Sequence, residues 1–296
     1  MTFGRLRALV PYILLAPGIA WLLIFFVAPM VTLAQSSLEE GTFDTGFRFT
    51  WHLQNFADVL GLGGPRGYQE QFIRSFRYAG IATLLAFVIG YPLAYAIAFR
   101  AGRFKNYLLF LVVLPFFTTY LIRTLAWQTI LSDEGEVVTA MRSSGTMDVL
   151  DTLHIAQNGR LLATPTAVVT AITYNLLPFM VLPIYVSLER IDKRLVEAAH
   201  DLYGGPIRAF LRVVFPLSLP GVFAGTLLTF IPAAGDFINA ALLGSPNTTM
   251  IGNVIQSRFL VLLDYPSAAA LSFLLMATIL IAVGVYARLL GTEEIT

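Results

Sequence analysis

Asp236 is the residue best suited to bind a charged ligand directly, because it lies in an otherwise apolar stretch of the chain. It follows Pro232-Ala233-Ala234-Gly235, a sequence that is expected to interrupt a helix. Ionisable groups in apolar surroundings are costly and usually functional, so Asp236 is a candidate to receive a cation. A carboxylate that only ends a helix at an interface is the alternative, and the sequence leaves both interpretations open.

Two other apolar segments carry polar or aromatic side chains that could assist a carboxylate. Tyr120 and Trp127 share one segment, and Tyr174 and Asn175 share another. Aromatic faces attract ammonium groups by cation–π interaction, but Tyr and Trp are also common where helices meet the membrane interface. Arg123 is unsuited to bind a cation, and we expect it to pair with an acidic residue, in this chain or in a partner chain, or to extend toward the interface.

Several other kinds of chemistry are excluded by the composition. There are no cysteines, and the three histidines lie far apart, so neither a thiolate site nor a histidine metal site is expected. The lysines, Lys105 and Lys193, follow Phe104 and Asp192, so neither belongs to a Gly-Lys phosphate-binding loop. A net charge of +1 gives no reason to expect nucleic acid as a partner. We therefore expect no enzyme activity, no metal and no cofactor in this chain.

The elements that must position these residues are long apolar helices. The chain of 296 residues is only 12% charged and has a mean hydropathy of +0.74, whereas soluble domains carry about 25% charged residues. About 20 apolar residues cross a bilayer as a helix whose backbone polar groups bond internally. Six segments meet this length: Ala8–Leu33, Tyr78–Phe99, Tyr107–Leu131, Pro165–Leu188, Pro216–Leu243 and Ser267–Leu290.

The distribution of charge predicts the orientation of these six spans. Lys and Arg are enriched in the cytoplasmic loops of membrane proteins. With six spans, both termini and the loops 100–106 and 189–215 share one side, which holds more than half of the 19 basic residues. The loops on the opposite side are longer and acidic. We therefore expect both termini to lie in the cytoplasm.

The loop 189–215 contains a polar segment between two spans. Residues 191–202 repeat apolar side chains at helical spacing, and Gly204-Gly205-Pro206 then ends this helix and starts another. The small residues Ala198 and Ala199 would let another surface approach the backbone closely. An amphipathic helix that lies on the membrane is the alternative.

This segment resembles the EAA loop of type I ABC importer permeases, in which Glu-Ala-Ala precedes a glycine and an Ile-x-Leu-Pro sequence at fixed spacing. Glu197-Ala198-Ala199 and Val213-x-Phe215-Pro216 have that spacing, but Tyr203 replaces the usual glycine and Phe215 the usual leucine. The resemblance covers the six-helix layout, most clearly Tyr78 to Leu290. In the family this loop docks on the cytoplasmic ATPase, which implies these coupling residues: Glu197, Ala198, Ala199, Asp201, Leu202, Gly204 and Gly205.

Three further stretches resemble the spermidine/putrescine permeases of the PotB type. They are Leu114–Thr124 (LPFFTTYLIRT), Asn175–Met180 (NLLPFM) and Met250–Ile255 (MIGNVI). Together they favour a polyamine as the solute. Permeases for aminophosphonates, ferric iron or other small solutes share much of this pattern and remain alternatives.

The resemblance implies an all-α protein of the bacterial inner membrane with six transmembrane helices in the MetI-like permease fold. Residues 1–76 would form the first helix and outer loop, 77–290 the permease domain with its coupling loop 190–215, and 291–296 a cytoplasmic tail. The implied partners are a second homologous permease, two ATPase subunits that bind ATP and Mg²⁺, membrane lipid, and a periplasmic or lipid-anchored solute-binding protein. An ion-gradient secondary transporter is the alternative from another class, and spans that are almost free of charge argue against it.

Overall fold

The structure, a computed structural model, describes residues 3–62, 67–153, 155–203 and 205–290. Gly204 and the predicted tail 291–296 lie outside these ranges. The described residues form the following α-helices: α1 (Phe3–Leu22), α2 (Ala28–Ser36), α3 (Gln54–Val59), α4 (Gln69–Tyr95), α5 (Lys105–Val113), α6 (Tyr120–Leu131), α7 (Glu136–Ser143), α8 (Thr146–Thr152), α9 (Pro165–Glu189), α10 (Lys193–Tyr203), α11 (Pro206–Ala209), α12 (Phe215–Ala234), α13 (Ile238–Leu243), α14 (Ile251–Gln256) and α15 (Tyr265–Leu290).

Shorter helical turns and one hairpin complete the secondary structure of the described residues. The π-helical turns are Leu23–Val27, Ala96–Arg100, Phe210–Val214 and Ser257–Val261. The 3-10 turns are Gly102–Phe104, Leu114–Phe117 and Pro246–Thr248. The strands are β1 (Glu39–Thr42) and β2 (Gly46–Phe49). The first three π-helical turns continue α1 into α2, extend α4 and join α11 to α12.

Within the described ranges, five helices are long and apolar enough to cross a membrane. They are Leu14–Ser36, Gln69–Arg100, Pro165–Glu189, Pro206–Ala234 and Tyr265–Arg288. A sixth span is present when one bent pair of helices is counted together. The predicted number of six spans is therefore reached when the two helices of the bent pair are counted as one span.

The third predicted span, Tyr107–Leu131, is not one straight helix, which corrects the sequence prediction. Its two halves meet at an angle of 91° around Thr118 and Thr119. Pro115 lies in the preceding 3-10 turn, where it supplies no backbone donor, and the two threonines then adopt extended backbone. The Thr119 hydroxyl accepts a hydrogen bond from Ile122 N (3.4 Å), which caps the start of α6.

The fifth predicted span, Pro216–Leu243, is also interrupted. α12 passes through Pro232 and ends before Gly235, and the separate helix α13 starts at Ile238. The predicted interruption is confirmed, but the residues after it form a second short helix instead of continuing the span. At its other end the span begins at Pro206, so the second helix of the polar segment runs directly into it.

The described chain forms two compact units, one within residues 1–68 and 255–274 and the other within 69–254 and 275–296. In the larger unit α9 packs against both α4 and α12. A Cβ added at Gly221 would lie 2.5 Å from Pro183 O, and one at Gly225 would lie 3.0 Å from Met180 O. Gly221 and Gly225, spaced as GxxxG, thus allow α12 to pack closely on α9. α6 and α13 pack against α9 and each other.

The smaller unit contains a hairpin that the sequence analysis did not predict. β1 and β2 pair in antiparallel register, with Glu39 opposite Phe49 and Thr42 opposite Gly46. The hydroxyl groups of Thr42 and Thr45 lie 3.0 Å apart across the turn. Two short strands do not change the fold class, which is all-α as predicted.

Candidate functional site

The break between α12 and α13 builds a buried carboxylate site. Asp236 lies in this break and is only 8% exposed. Its Oδ1 accepts a hydrogen bond from the backbone N–H of Asn239 (2.9 Å), which caps the first turn of α13. The side-chain amide of Asn239 also donates to Asp236 Oδ2 (3.1 Å). The carboxylate is therefore held by the helix that follows it.

Tyr120, the first residue of α6, also binds this carboxylate. Its hydroxyl donates to Asp236 Oδ2 at 2.5 Å and accepts from Asn239 Nδ2 at 2.6 Å. The bend in the third span starts α6 at Tyr120. Tyr120 and Asp236, both candidates from the sequence, are thus in direct contact.

Asn175 of α9 and Thr124 of α6 extend this network through Asn239. Asn239 Oδ1 accepts hydrogen bonds from Thr124 Oγ1 (2.9 Å) and from Asn175 Nδ2 (3.2 Å). All three side chains are fully buried. We refer to Tyr120, Thr124, Asn175, Asp236 and Asn239 as the polar cluster.

The polar cluster contains one acceptor that lacks a donor. Asn175 Oδ1 is sealed from solvent and has no hydrogen-bond partner among the described residues. A buried polar atom left without a partner costs about 1–3 kcal/mol. An external N–H or O–H group that reached this oxygen would therefore be stabilised.

The segment 250–254 supports the break that carries the carboxylate. The side-chain amide of Asn253 donates to Phe237 O at 2.7 Å. A Cβ added at Gly252 would lie 2.6 Å from Gly235 O, so the two backbone segments are in close contact. The three stretches that resemble polyamine permeases are far apart in the sequence, yet each contributes to the polar cluster or to its support.

The contact at Gly252 leads to a prediction about stability. Gly252→Ala is expected to lower the melting temperature of the purified chain in detergent, because overpacking costs about 1–3 kcal/mol. Gly235→Ala is the matched control, since a Cβ at Gly235 meets no atom within 4 Å and its φ is −93°. Equal melting temperatures for the two variants would show that the backbone contact at Gly252 is not tight.

Trp127 and Tyr174 contact each other and flank the polar cluster. Their ring centroids are 5.5 Å apart and the ring planes are inclined at 70°. Trp127 lies about one turn after Thr124 in α6, and Tyr174 directly precedes Asn175 in α9. The structure thus brings Tyr120, Asn175 and Asp236 together and places the other two candidates beside them. A role for Trp127 and Tyr174 in solute contact stays a prediction.

Sequence reasoning missed Thr124 and Asn239 as members of the cluster. Thr124 lies four residues after Tyr120, and Asn239 lies three residues after Asp236. The first spacing places both side chains on one face of α6, whereas Asn239 lies in the first turn of α13 and Asp236 lies just before that helix. The signal becomes informative only when the starts of α6 and α13 are known, since each start sets the phase of its helix.

α10 presents both charged and apolar side chains between two spans, and it confirms the helix predicted for this segment. Glu197, Ala198, Asp201 and Leu202 are exposed, with Leu202 at 76%. Ala199 is only 4% exposed, and α10 packs against α11. Ala199, one of the coupling residues predicted from the sequence, is therefore covered by other residues of this chain.

Residues 205–214 connect α10 to α12 and contact α4. Gly204 lies outside the described residues, as does the side chain of His200. Gly205 is half-buried and precedes Pro206, the first residue of α11. In the π-helical turn that follows, the ring of Phe210 packs edge-on against Tyr91 of α4, with centroids 5.7 Å apart. The turn after α11 is thus in aromatic contact with α4.

These features fit a membrane permease. Its apolar spans enclose a buried polar cluster, and an exposed helix lies between two of the spans. Among the described residues no group of three His, Cys, Asp or Glu side chains comes together as metal ligands. Residues 86–290 match the family model of the binding-protein-dependent transport system inner membrane component. The chain belongs to this family and is a multi-pass protein of the inner membrane.

Similar proteins support the same family. The chain is 36% identical over 271 residues to the spermidine/putrescine transport system permease protein PotB of Haemophilus influenzae, which covers 91% of this chain and 90% of the relative. It is also 36% identical to PotB of Escherichia coli K12, over 91% of this chain and 94% of the relative. A bacterial ABC transporter involved in the import of the acidic polysaccharide alginate has a similar fold, with a TM-score of 0.68 over 97% of both chains. Its sequence identity of 18% restricts this likeness to the fold.

Proposed function

We propose that this chain is a permease subunit of an ATP-driven importer and forms half of the translocation path for a polyamine such as spermidine or putrescine. The observation that carries the proposal is the identity of 36% to two PotB permeases over about nine-tenths of the chain. The meeting of three polyamine-permease-like stretches at one polar cluster supports it.

The polar cluster has the groups that a primary ammonium needs. Asp236 supplies a negative charge, and Asn175 Oδ1 supplies an acceptor without a donor. Because Asp236 is almost completely buried, an ammonium group reaches it only after the break between α12 and α13 opens. This fits a site that is accessible in one state of an alternating-access cycle.

The energy source for transport would lie in other chains. Neither Lys105 nor Lys193 belongs to a phosphate-binding loop, so two ATPase subunits would bind ATP and Mg²⁺. One of them would contact the exposed face of α10 on the cytoplasmic side, at Glu197, Ala198 and Leu202. ATP binding would draw the coupling helices of the two permeases together and switch the access of the cavity.

Two further proteins would complete the importer. A second homologous permease would supply the other half of the solute path. A periplasmic or lipid-anchored binding protein would deliver the solute to the outer loops. The cargo would then be selected jointly by the binding protein and by the cavity between the two permeases.

Transport by the complete importer in proteoliposomes tests this proposal. The complex contains this chain, the second permease, the ATPases and the binding protein, and the measurement is uptake of labelled spermidine and putrescine with and without ATP. An aminophosphonate and ferric iron serve as comparison solutes. We expect saturable, ATP-dependent uptake of a polyamine. Preferred uptake of a comparison solute would overturn the polyamine assignment, and uptake by this chain without ATPase or ATP would overturn the importer class.

A further inference from the structure

Arg123 is a buried charge whose hydrogen-bonding groups are incompletely satisfied. It lies in the first turn of α6 and is 8% exposed. Its Nε and Nη1 atoms are sealed from solvent and have no hydrogen-bond partner among the described residues. Arginine stays protonated in proteins, so the guanidinium cannot escape this cost by losing its charge. The sequence-based expectation that Arg123 extends to the interface is therefore wrong for this structure.

Two aromatic rings cover the guanidinium but do not satisfy its donors. The guanidinium carbon lies 5.0 Å from the ring centroid of Phe116 and 5.5 Å from that of Tyr120. These rings flank the bend between α5 and α6. A cation–π contact stabilises the charge through the ring face, whereas the N–H groups point outward in the guanidinium plane and need acceptors.

The described part of this chain offers Arg123 no carboxylate. The carboxylate of Asp236 already accepts hydrogen bonds from Tyr120 and Asn239. Asp133, at the other end of the bent span, forms ion pairs with Arg142 and Arg160. No ion pair between described residues includes Arg123. The described residues thus leave Arg123 open to a carboxylate from another molecule.

The face of α6 beside Arg123 indicates which kind of molecule that is. Leu121, Ile122 and Leu125 are exposed and apolar, so in the membrane either lipid chains or another protein covers them. Hydrocarbon chains have no hydrogen-bond acceptor. A protein chain covers the apolar residues and can also supply an acceptor.

We propose that Arg123 forms an ion pair with a carboxylate of the second permease subunit, at the interface between the two permeases. This inference rests on the proposed function, which supplies the second permease. Phe116 is partly exposed, and its ring turns outward so that the carboxylate reaches the edge of the guanidinium. The aromatic contact with Tyr120 holds Arg123 beside the polar cluster, so the ion pair also fixes the edge of the solute path.

The test compares the stability of the isolated full chain with its affinity for the second permease. Arg123→Gln removes an unpaired buried charge, so the melting temperature of the isolated chain in detergent is expected to stay equal or to rise. The affinity for the second permease, measured by co-purification at graded concentrations, is expected to fall by about 30-fold or more. Arg123→Lys keeps the charge, so its affinity for the second permease is expected to fall by a smaller factor. Arg77→Gln is the control, since Arg77 is exposed on α4 and lies over the ring of Tyr78.

Charge reversal identifies the partner residue. Arg123→Glu is combined with substitution of each acidic residue in the spans of the second permease by lysine, one at a time. Recovery of the complex by one such pair is the expected result. Unchanged affinity of Arg123→Gln overturns the inference, and so does a lowered melting temperature without recovery by any pair, because that combination indicates a role within this chain. If the wild-type chain binds no second permease, the proposed function has failed instead.

Discussion

Uptake by the Asp236→Asn variant is expected to fall by about 10- to 100-fold, because a charge-assisted hydrogen bond contributes about 1.5–3 kcal/mol and 1.4 kcal/mol corresponds to a factor of ten. Asparagine keeps the shape of the side chain but carries no charge, and its single oxygen replaces only one of the two carboxylate oxygens that accept from Tyr120 and from Asn239 N. The measurement is the initial rate of polyamine uptake over a range of concentrations at equal amounts of inserted protein.

Asp44→Asn is the matched control for this prediction. Asp44 is exposed in the turn between β1 and β2, so its substitution is expected to leave uptake unchanged. If Asp236→Asn does not insert, Tyr120→Phe tests the hydrogen bonding of the carboxylate instead, since it removes a donor 2.5 Å from the carboxylate and keeps the charge. That variant is expected to weaken solute affinity. Unimpaired uptake and affinity in a correctly inserted Asp236→Asn variant would reduce the polar cluster to a structural support of the helix break.

The position of the carboxylate could be predicted from the sequence, but its partners could not. Pro232 and Gly235 signal an interruption because they disfavour regular helix. Asp236 follows this interruption and therefore lies outside α12. The phase of the next helix depends on where it restarts. The restart at Ile238 places both the backbone N–H and the side-chain amide of Asn239 against the carboxylate.

The bend in the third span could not be predicted from the sequence for a related reason. Pro115 alone is compatible with a kinked but continuous helix, and hydropathy does not distinguish the two cases. The extended backbone at Thr118 and Thr119 creates the turn of 91° and makes Tyr120 the first residue of α6. Long-range packing decides such a turn. Here α6 packs against α9 and α13.

The convergence of the three polyamine-permease-like stretches shows a second limit of sequence reasoning. Each stretch could be recognised by its residue order, but the contact of Asn253 with Phe237 joins two segments through tertiary structure. Hydrophobic periodicity predicts which face of a helix is apolar. It does not predict which neighbour a polar residue on the other face will meet.

The Leu202→Asp substitution is expected to uncouple ATP hydrolysis from transport. Leu202 is 76% exposed, so α10 offers this apolar side chain to another protein. Burial of a leucine side chain contributes about 1.5–3 kcal/mol, so a charged residue at this position should weaken ATPase docking by about 10- to 100-fold. The measurement is ATP hydrolysis by the reconstituted importer with loaded binding protein, together with uptake and with retention of the ATPase during purification.

The control and the second variant follow from the exposure of each residue. Leu62→Asp is the matched control, since Leu62 is 77% exposed and lies in the first loop. Glu197→Lys reverses an exposed charge on α10 and is expected to reduce coupling as well. A bulky residue at Ala199 is a poor test, because Ala199 is buried within this chain and the substitution would first displace α10. Intact coupling in both Leu202→Asp and Glu197→Lys would remove α10 from the ATPase interface, since the two variants change the apolar and the charged part of its exposed surface.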